Sequence, residues 1–287
     1  MSDTTANGGA NGGSEAHKMP LLDHLIELRQ RMLYSFIALF VAFLICFYFA
    51  EELFNFLVQP LADLLIEREG VRGARRLIFT DLTEVFFTHI KIGFFFGAFA
   101  ASPIFLTQLW LFVAPGLYRN EKTALAPFLV ASPVLFFMGG ALVYFVLFPM
   151  AWSFFLSFET LGGDGTLPIE LEAKVAEYLS LVMKLIFAFG FCFQLPVLMT
   201  LMARVGLATS KGMAEKRKYA VVGVFIVAAV ITPPDPISQL SLAIPIIVLY
   251  EISILMAKLV EKKRAKDQDE LDDEFGGNDS GDGTEES

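Results

Sequence analysis

The chain has 287 residues, of which 55% are hydrophobic and 18% charged, with 30 phenylalanines. That is more apolar than a water-soluble domain of this length needs to be, so the chain belongs in lipid. The net charge of -9 is misleading, because Asp267, Asp269, Glu270, Asp272, Asp273, Glu274, Asp279, Asp282, Glu285 and Glu286 crowd the C-terminal tail and leave the body close to neutral. Cys46 and Cys192 both sit in apolar runs, where a thiol behaves as a small hydrophobe and gives no disulfide or metal signal.

Residues 1–18 are rich in Gly, Asn, Ser and Thr and lack an apolar stretch, which predicts a disordered lead. Six hydrophobic segments follow, at Met32–Ala50, Val85–Leu109, Ala124–Met150, Ala176–Met202, Tyr219–Ile231 and Ile237–Ala257. The first is too long for a signal-peptide core, and similar segments follow it. The first four suffice to cross about 30 Å of hydrocarbon at about 1.5 Å per residue. The fifth reaches only about 20 Å before Thr232-Pro233-Pro234-Asp235-Pro236 ends it, so segments five and six form a short hairpin. Prolines and glycines inside the spans (Pro103, Pro127, Pro133, Gly139, Gly140, Pro196, Pro245) predict kinked helices and a curved bundle. The expected fold is therefore an all-α, six-helix membrane domain over 19–257, followed by a disordered, basic-then-acidic tail over 258–287.

Lys and Arg set the orientation. Lys18, Arg29, Arg31, Arg119, Lys122, Arg204, Lys211, Lys216, Arg217, Lys218 and the group from Lys258 to Lys266 fall on one side. The other side holds Lys174 and four arginines between Glu51 and Glu84, a loop long enough to weaken its weight. The bias puts both termini in the cytoplasm.

No phosphate-binding loop, metalloprotease motif or nucleophile elbow is present in the sequence. Candidate functional residues lie instead in two stretches on the inner side. Ahead of the first span, Leu21, Leu25, Leu28 and Met32 recur at helical spacing and leave Asp23, Glu27 and Arg31 on another face. Glu27 and Arg31 at i,i+4 also make a plain helix pair worth a few tenths of a kcal/mol. Between spans two and three, Phe112-Val113-Ala114-Pro115-Gly116-Leu117-Tyr118-Arg119-Asn120-Glu121 crowds Phe112, Pro115 and Tyr118 into one short loop. Asn120 can cap the next helix, with Glu121 in its first turn. The intramembrane suspects are Gln194 beside Pro196, Lys91 and Lys184 nearer the outer face where their stems can snorkel, and Glu251 near the inner end of the last span.

Several of these stretches together resemble the TatC family. They are His24-Leu25-Ile26-Glu27-Leu28-Arg29, then Phe112 to Tyr118 with Glu121, then Tyr144-Phe145 with Phe148-Pro149. Ala188-Phe189-Gly190 ahead of Gln194-Leu195-Pro196, and Thr232 to Asp235 with Gln239, complete the set. The resemblance covers about Met19 to Ala257. It implies a non-enzymatic receptor, without cofactors, in the cytoplasmic membrane. Such a receptor captures twin-arginine signal peptides of folded proteins and works with the partners TatA and TatB, in a homo-oligomeric complex, on the proton gradient. Carried over by motif, Glu27 and Glu121 are the recognition carboxylates, with Arg29, Phe112, Pro115 and Tyr118 in the binding surface. Gln194 is a partner-organising position, and Pro60 and Asp235 are structural residues of the outer side. Relatives carry Glu where this chain has Gln194, and an amide cannot gain or lose a proton.

Two other readings compete. A proton-coupled small-solute transporter needs a midplane site of paired charges, and the spans offer mainly Gln194. A purely structural scaffold would leave Glu27 and Glu121 replaceable.

Overall fold

The computed structural model describes residues 19–72, 77–113, 126–160, 167, 169, 171–232 and 236–276. Ten α-helices occur among them: α1 (Met19–Tyr48), α2 (Ala50–Arg72), α3 (Glu84–Val113), α4 (Ala126–Leu142), α5 (Phe148–Leu156), α6 (Val175–Cys192), α7 (Leu195–Val205), α8 (Ser210–Glu215), α9 (Arg217–Ile231) and α10 (Pro236–Gly276). A π-helical turn, Val143–Leu147, joins α4 to α5. Among the described residues no strand forms. Two isolated bridges, Ile78 with Lys174 and Thr160 with Ile169, tie the connections at the end opposite the α1 N-terminus.

All six predicted segments are helical over their described residues. Five spans are long and apolar enough to cross a membrane: Leu25–Tyr48, Glu84–Phe112, Pro127–Leu156, Val175–Val205 and Gln239–Lys263. The short fifth segment is α9, whose 15 residues make about 22 Å of helix.

Two expectations change. The stretch from Glu51 to Glu84, read as a loop, is mostly the 23-residue helix α2. Its Leu57 and Leu61 are fully buried against the bundle, so packing of one apolar face organises a segment whose polar residues had disguised it. The tail, expected to be disordered from 258, continues α10 without a break as far as Gly276. Leu, Glu, Lys, Arg and Ala dominate that continuation, and these residues carry strong helix propensity. Residues 1–18, the loop residues Pro115, Tyr118 and Glu121, and Asp235 lie outside the described residues.

Of the residues expected to kink the spans, Pro196 stands at a break, while Pro103, Pro133 and Pro245 lie inside continuous helices. A further break, not among those expected from the sequence, lies ahead of Pro149. At Val143–Leu147 the Phe148 N–H bonds the Val143 carbonyl, an i to i+5 step directly ahead of Pro149, the type of register slip that inserts a π-bulge. The fourth span breaks between Cys192 and Leu195, with Pro196 in the first turn of α7, where a missing N–H costs nothing.

The core is an aromatic and aliphatic block made by α2, α3, the π turn, α5, α6 and α10. In its centre the Phe95 ring meets Phe187 edge-on at 5.0 Å, and Phe99 lies 5.2 Å from Phe136. Lipid gives no hydrophobic drive between helices, so close backbone approach and ring packing hold the bundle. Gly97 shows the first: a Cβ there would stand 2.7 Å from the Phe43 Cα. With Gly93, which faces Phe47, it forms the small-xxx-small face on which α1 rests. The lipid-exposed α1 therefore leans mainly on α3.

The end away from the α1 N-terminus is closed by hydrogen bonds to backbone. Pro60, inside α2, has no N–H to give the carbonyl of Phe56 four residues earlier. The Tyr144 hydroxyl, from the π turn, donates to that carbonyl at 2.7 Å. Its ring stacks on Phe56 at 4.5 Å. One residue on, the Tyr178 hydroxyl of α6 donates to the Leu57 carbonyl at 3.0 Å. Glu84, the first residue of α3, accepts from the N–H of Thr80 at 2.9 Å and of Ala176 at 3.1 Å. One carboxylate thus ties the turn ahead of α3 to the first turn of α6.

Candidate binding site at the lead-in end

Glu27 and Arg29 lie eight and ten residues into α1, at the beginning of its apolar span. The Glu27 carboxylate is half-buried and already holds a guanidinium. Arg31 Nε donates to Glu27 Oε1 at 3.0 Å and a second Arg31 nitrogen reaches the same oxygen. Arg31 Nη1 also donates to Gln108 Oε1 of α3 at 3.2 Å. An exposed i,i+4 pair would be of little consequence alone. Here the link to α3 fixes the guanidinium at the crossing of two helices, with only 22% of the Arg31 side chain exposed. Arg29, two residues from Glu27, is exposed to solvent.

Directly beneath lies an open groove of about 390 Å³. Leu28, Arg31, Gln108 and Phe112 line it near the lead-in end, and Phe136, Phe187 and Phe191 line it deeper in the bundle. Its α3 wall includes Ala98, Ala101 and Ser102, residues too small to fill the space between α1 and the aromatic core. A charged mouth over an apolar slot suits an extended ligand with a cationic head and a hydrophobic body.

Gln194 lies where the fourth span breaks. Its Nε2 donates to the Ser132 carbonyl at 3.0 Å and the Gly190 carbonyl at 3.4 Å. Its Oε1 accepts from the Ser132 hydroxyl, which in turn accepts from Trp110 Nε1 at 2.9 Å. The amide thus joins α3, α4 and the junction of α6 with α7, and both its donor and its acceptor atoms are used within the chain. Glu251 likewise has a partner, Arg217 at 2.8 Å. Gln239 donates to the Phe225 carbonyl at 3.1 Å and ties α10 to α9.

Of the residues singled out in the sequence, the structure brings Leu28 and Phe112 to one groove, with Glu27 bonded to its rim through Arg31. It sets Gln194, Lys91, Lys184 and Pro60 elsewhere. Gln108, Trp110 and Ser132 had not stood out. The available signal was the presence of polar side chains in otherwise apolar spans, where an unsatisfied group is costly.

Comparison with known proteins agrees with these features. The family model described as Sec-independent protein translocase protein (TatC) matches residues 23–245. The chain is 48% identical over 251 residues to the TatC protein of Magnetococcus marinus, covering 88% of each. It is 38% identical over 250 residues to that of Escherichia coli strain K12, covering 87% of this chain and 92% of the other. A crystal structure described as the twin arginine translocase receptor TatC in DDM superposes with a TM-score of 0.70 at 37% identity, covering 82% of this chain and 99% of that one.

Proposed function

The chain belongs to the TatC family of Sec-independent protein translocase proteins, and on that footing we propose that it is the receptor core that reads twin-arginine signal peptides. As a protein translocase component it is not an enzyme. The signal peptide binds at the cytoplasmic face, where the lysine and arginine bias places both termini. One arginine of the motif is received by Glu27 and the other by Glu121, with Phe112, Pro115 and Tyr118 shaping the surface and Arg29 at its edge. The hydrophobic stretch of the peptide then enters the groove between α1 and α3.

The reading is supported above all by Glu27, which already holds a guanidinium at the mouth of an apolar groove. Arg31 occupies the position an incoming arginine needs. When the signal peptide arrives, its guanidinium replaces Arg31 on the carboxylate, and Arg31 keeps its bond to Gln108. A carboxylate that receives a planar, forked donor distinguishes arginine from lysine through geometry, which a diffuse negative surface does not. Gln194 serves assembly with TatA- and TatB-type partners from within, by fixing the break in the fourth span against α3 and α4. Transport draws on the proton gradient, and the complex holds more than one copy of this chain in the inner membrane.

Photo-crosslinking of a twin-arginine precursor to membranes carrying the chain tests the receptor role. Crosslinks are expected with the native protein, and loss is expected with Glu27→Gln, with Glu121→Gln, and when the precursor motif is changed to two lysines. Persistence of crosslinking in all three cases overturns the proposal.

A further inference from the structure

Lys91 of α3 and Lys184 of α6 line one open cleft of about 840 Å³ on the lipid-facing side of the bundle. Both are exposed, and neither has an acidic partner among the described residues. They stand seven residues inside the start of α3 at Glu84 and nine inside the start of α6 at Val175, or about 10 and 14 Å of helix. In a flat bilayer of ordinary thickness that depth puts both ammonium groups below the headgroups, where an unpaired charge is costly even after snorkelling.

The third wall of the cleft changes this. It is made by Val230 and Ile231, the last two residues of α9. That helix offers only about 22 Å against a hydrocarbon thickness of about 30 Å, so the bilayer must thin beside it. The end of α9 lies at the cleft that Lys91 and Lys184 share. On this face the polar boundary of the far leaflet is therefore drawn down to the level of the two ammonium groups. Beside them, Phe94 and Phe187 give the same cleft an apolar wall.

We propose that this cleft is a binding site for an anionic phospholipid of the far leaflet, with the phosphate held between Lys91 and Lys184 and an acyl chain laid against Phe94 and Phe187. Paired cations from two helices match one phosphate, and the aromatic wall matches the tail, so a single lipid satisfies both halves of the site. The bound lipid fills the dip over the short α9 and seals the open side of the bundle. Phe187 borders both this cleft and the groove beside α1, but the lipid proposal turns on Lys91 and Lys184, which the signal-peptide reading does not use, so either can fail without the other.

Native mass spectrometry of the full-length protein in detergent, titrated with dioleoyl phosphatidylglycerol or with dioleoyl phosphatidylcholine, tests it. One molecule of phosphatidylglycerol is expected to bind in preference to phosphatidylcholine. At about 1 kcal/mol per lysine near a membrane surface, Lys91→Gln or Lys184→Gln weakens that binding about fivefold and the double variant about thirtyfold. The control Lys258→Gln/Lys262→Gln, with substitutions near the Lys263 end of the last span, retains it. An unchanged phosphatidylglycerol preference in the Lys91→Gln/Lys184→Gln variant overturns the site, as does equal loss in the control. Retained lipid binding accompanied by lost co-purification of a single-span partner would assign the lysines to an acidic group on that partner and likewise overturn it. Thermal unfolding of each variant in the same detergent, expected to match the native protein, shows that the exposed substitutions leave the fold intact.

Discussion

At the far end of the bundle, Tyr144, Tyr178 and Glu84 each bond to the backbone of another element. At the lead-in end, Glu27, Arg31 and Gln108 bond side chain to side chain at the rim of an open groove. Backbone groups in lipid have no alternative partner, so bonds that satisfy them fix the structure. A carboxylate that holds its own chain's arginine exchanges it for another at little net cost. On the proposed function the contrast separates a scaffold end from a receiving end, and substitutions at the two should differ in kind.

The largest effect is expected at the seam between them. Gly97→Leu drives a side chain into the Phe43 backbone, since even a Cβ would come within 2.7 Å of it. Overpacking of this type costs about 1–3 kcal/mol or more. Because α1 carries Glu27, signal-peptide binding should fall together with thermal stability in detergent, although Gly97 touches no ligand.

At the far end, Tyr144→Phe leaves the Phe56 carbonyl without a donor, a loss of about 1–3 kcal/mol. Tyr178→Phe should cost less, because the Leu57 carbonyl lies within a continuous helix where the residue four positions on, Leu61, has an N–H to give. Adding Pro60→Ala to Tyr144→Phe supplies the N–H that Pro60 lacks and should restore part of the stability. Equal unfolding temperatures for the single and double variants would show that the proline and tyrosine are not coupled. Precursor binding should be unchanged in all three.

Gln194→Ala removes the amide that bonds Ser132 and Gly190. It should loosen the fourth span by about 1–2 kcal/mol and reduce co-purification of TatA- or TatB-type partners while leaving precursor crosslinking intact. Normal partner recovery and normal export would count against a role for that position in assembly.

How much of this was legible beforehand depended on whether the decisive contact was local. The six apolar segments, the shortness of α9 and the break near Pro196 follow from hydropathy and from the missing proline N–H, which are properties of neighbouring residues. Glu27 and Phe112 could be singled out because their motifs are contiguous. The link from Arg31 to Gln108 spans 77 positions and that from Tyr144 to Phe56 spans 88, and no periodicity reports such pairings. Pro60 illustrates the limit: the resemblance marked it as a structural residue, but the contact made at its missing N–H depends on a tyrosine two helices later. The polar face of α2 made a helix look like a loop, and the charges after Lys258 made a helical continuation look like a disordered tail.

The smallest stability effect belongs to the receiving end. Arg31→Gln removes the pair with Glu27 and the bond to Gln108, a loss of about 1 kcal/mol or less, so unfolding should move little. Signal-peptide affinity should nevertheless rise, because Glu27 no longer has an internal competitor. A fall in affinity would mean that Arg31 orients the carboxylate and does not compete for it.

The most direct test is a double-mutant cycle between the protein and its ligand. Affinities of a twin-arginine signal peptide and of its arginine-to-lysine forms would be measured for the native chain and for Glu27→Gln. A charge-assisted, forked bond between one signal arginine and Glu27 predicts a coupling of about 1.5–3 kcal/mol, seen as arginine-to-lysine discrimination that is strong in the native protein and nearly absent in the variant. Discrimination that is the same in both proteins would contradict the assignment of Glu27 as the residue that receives the arginine.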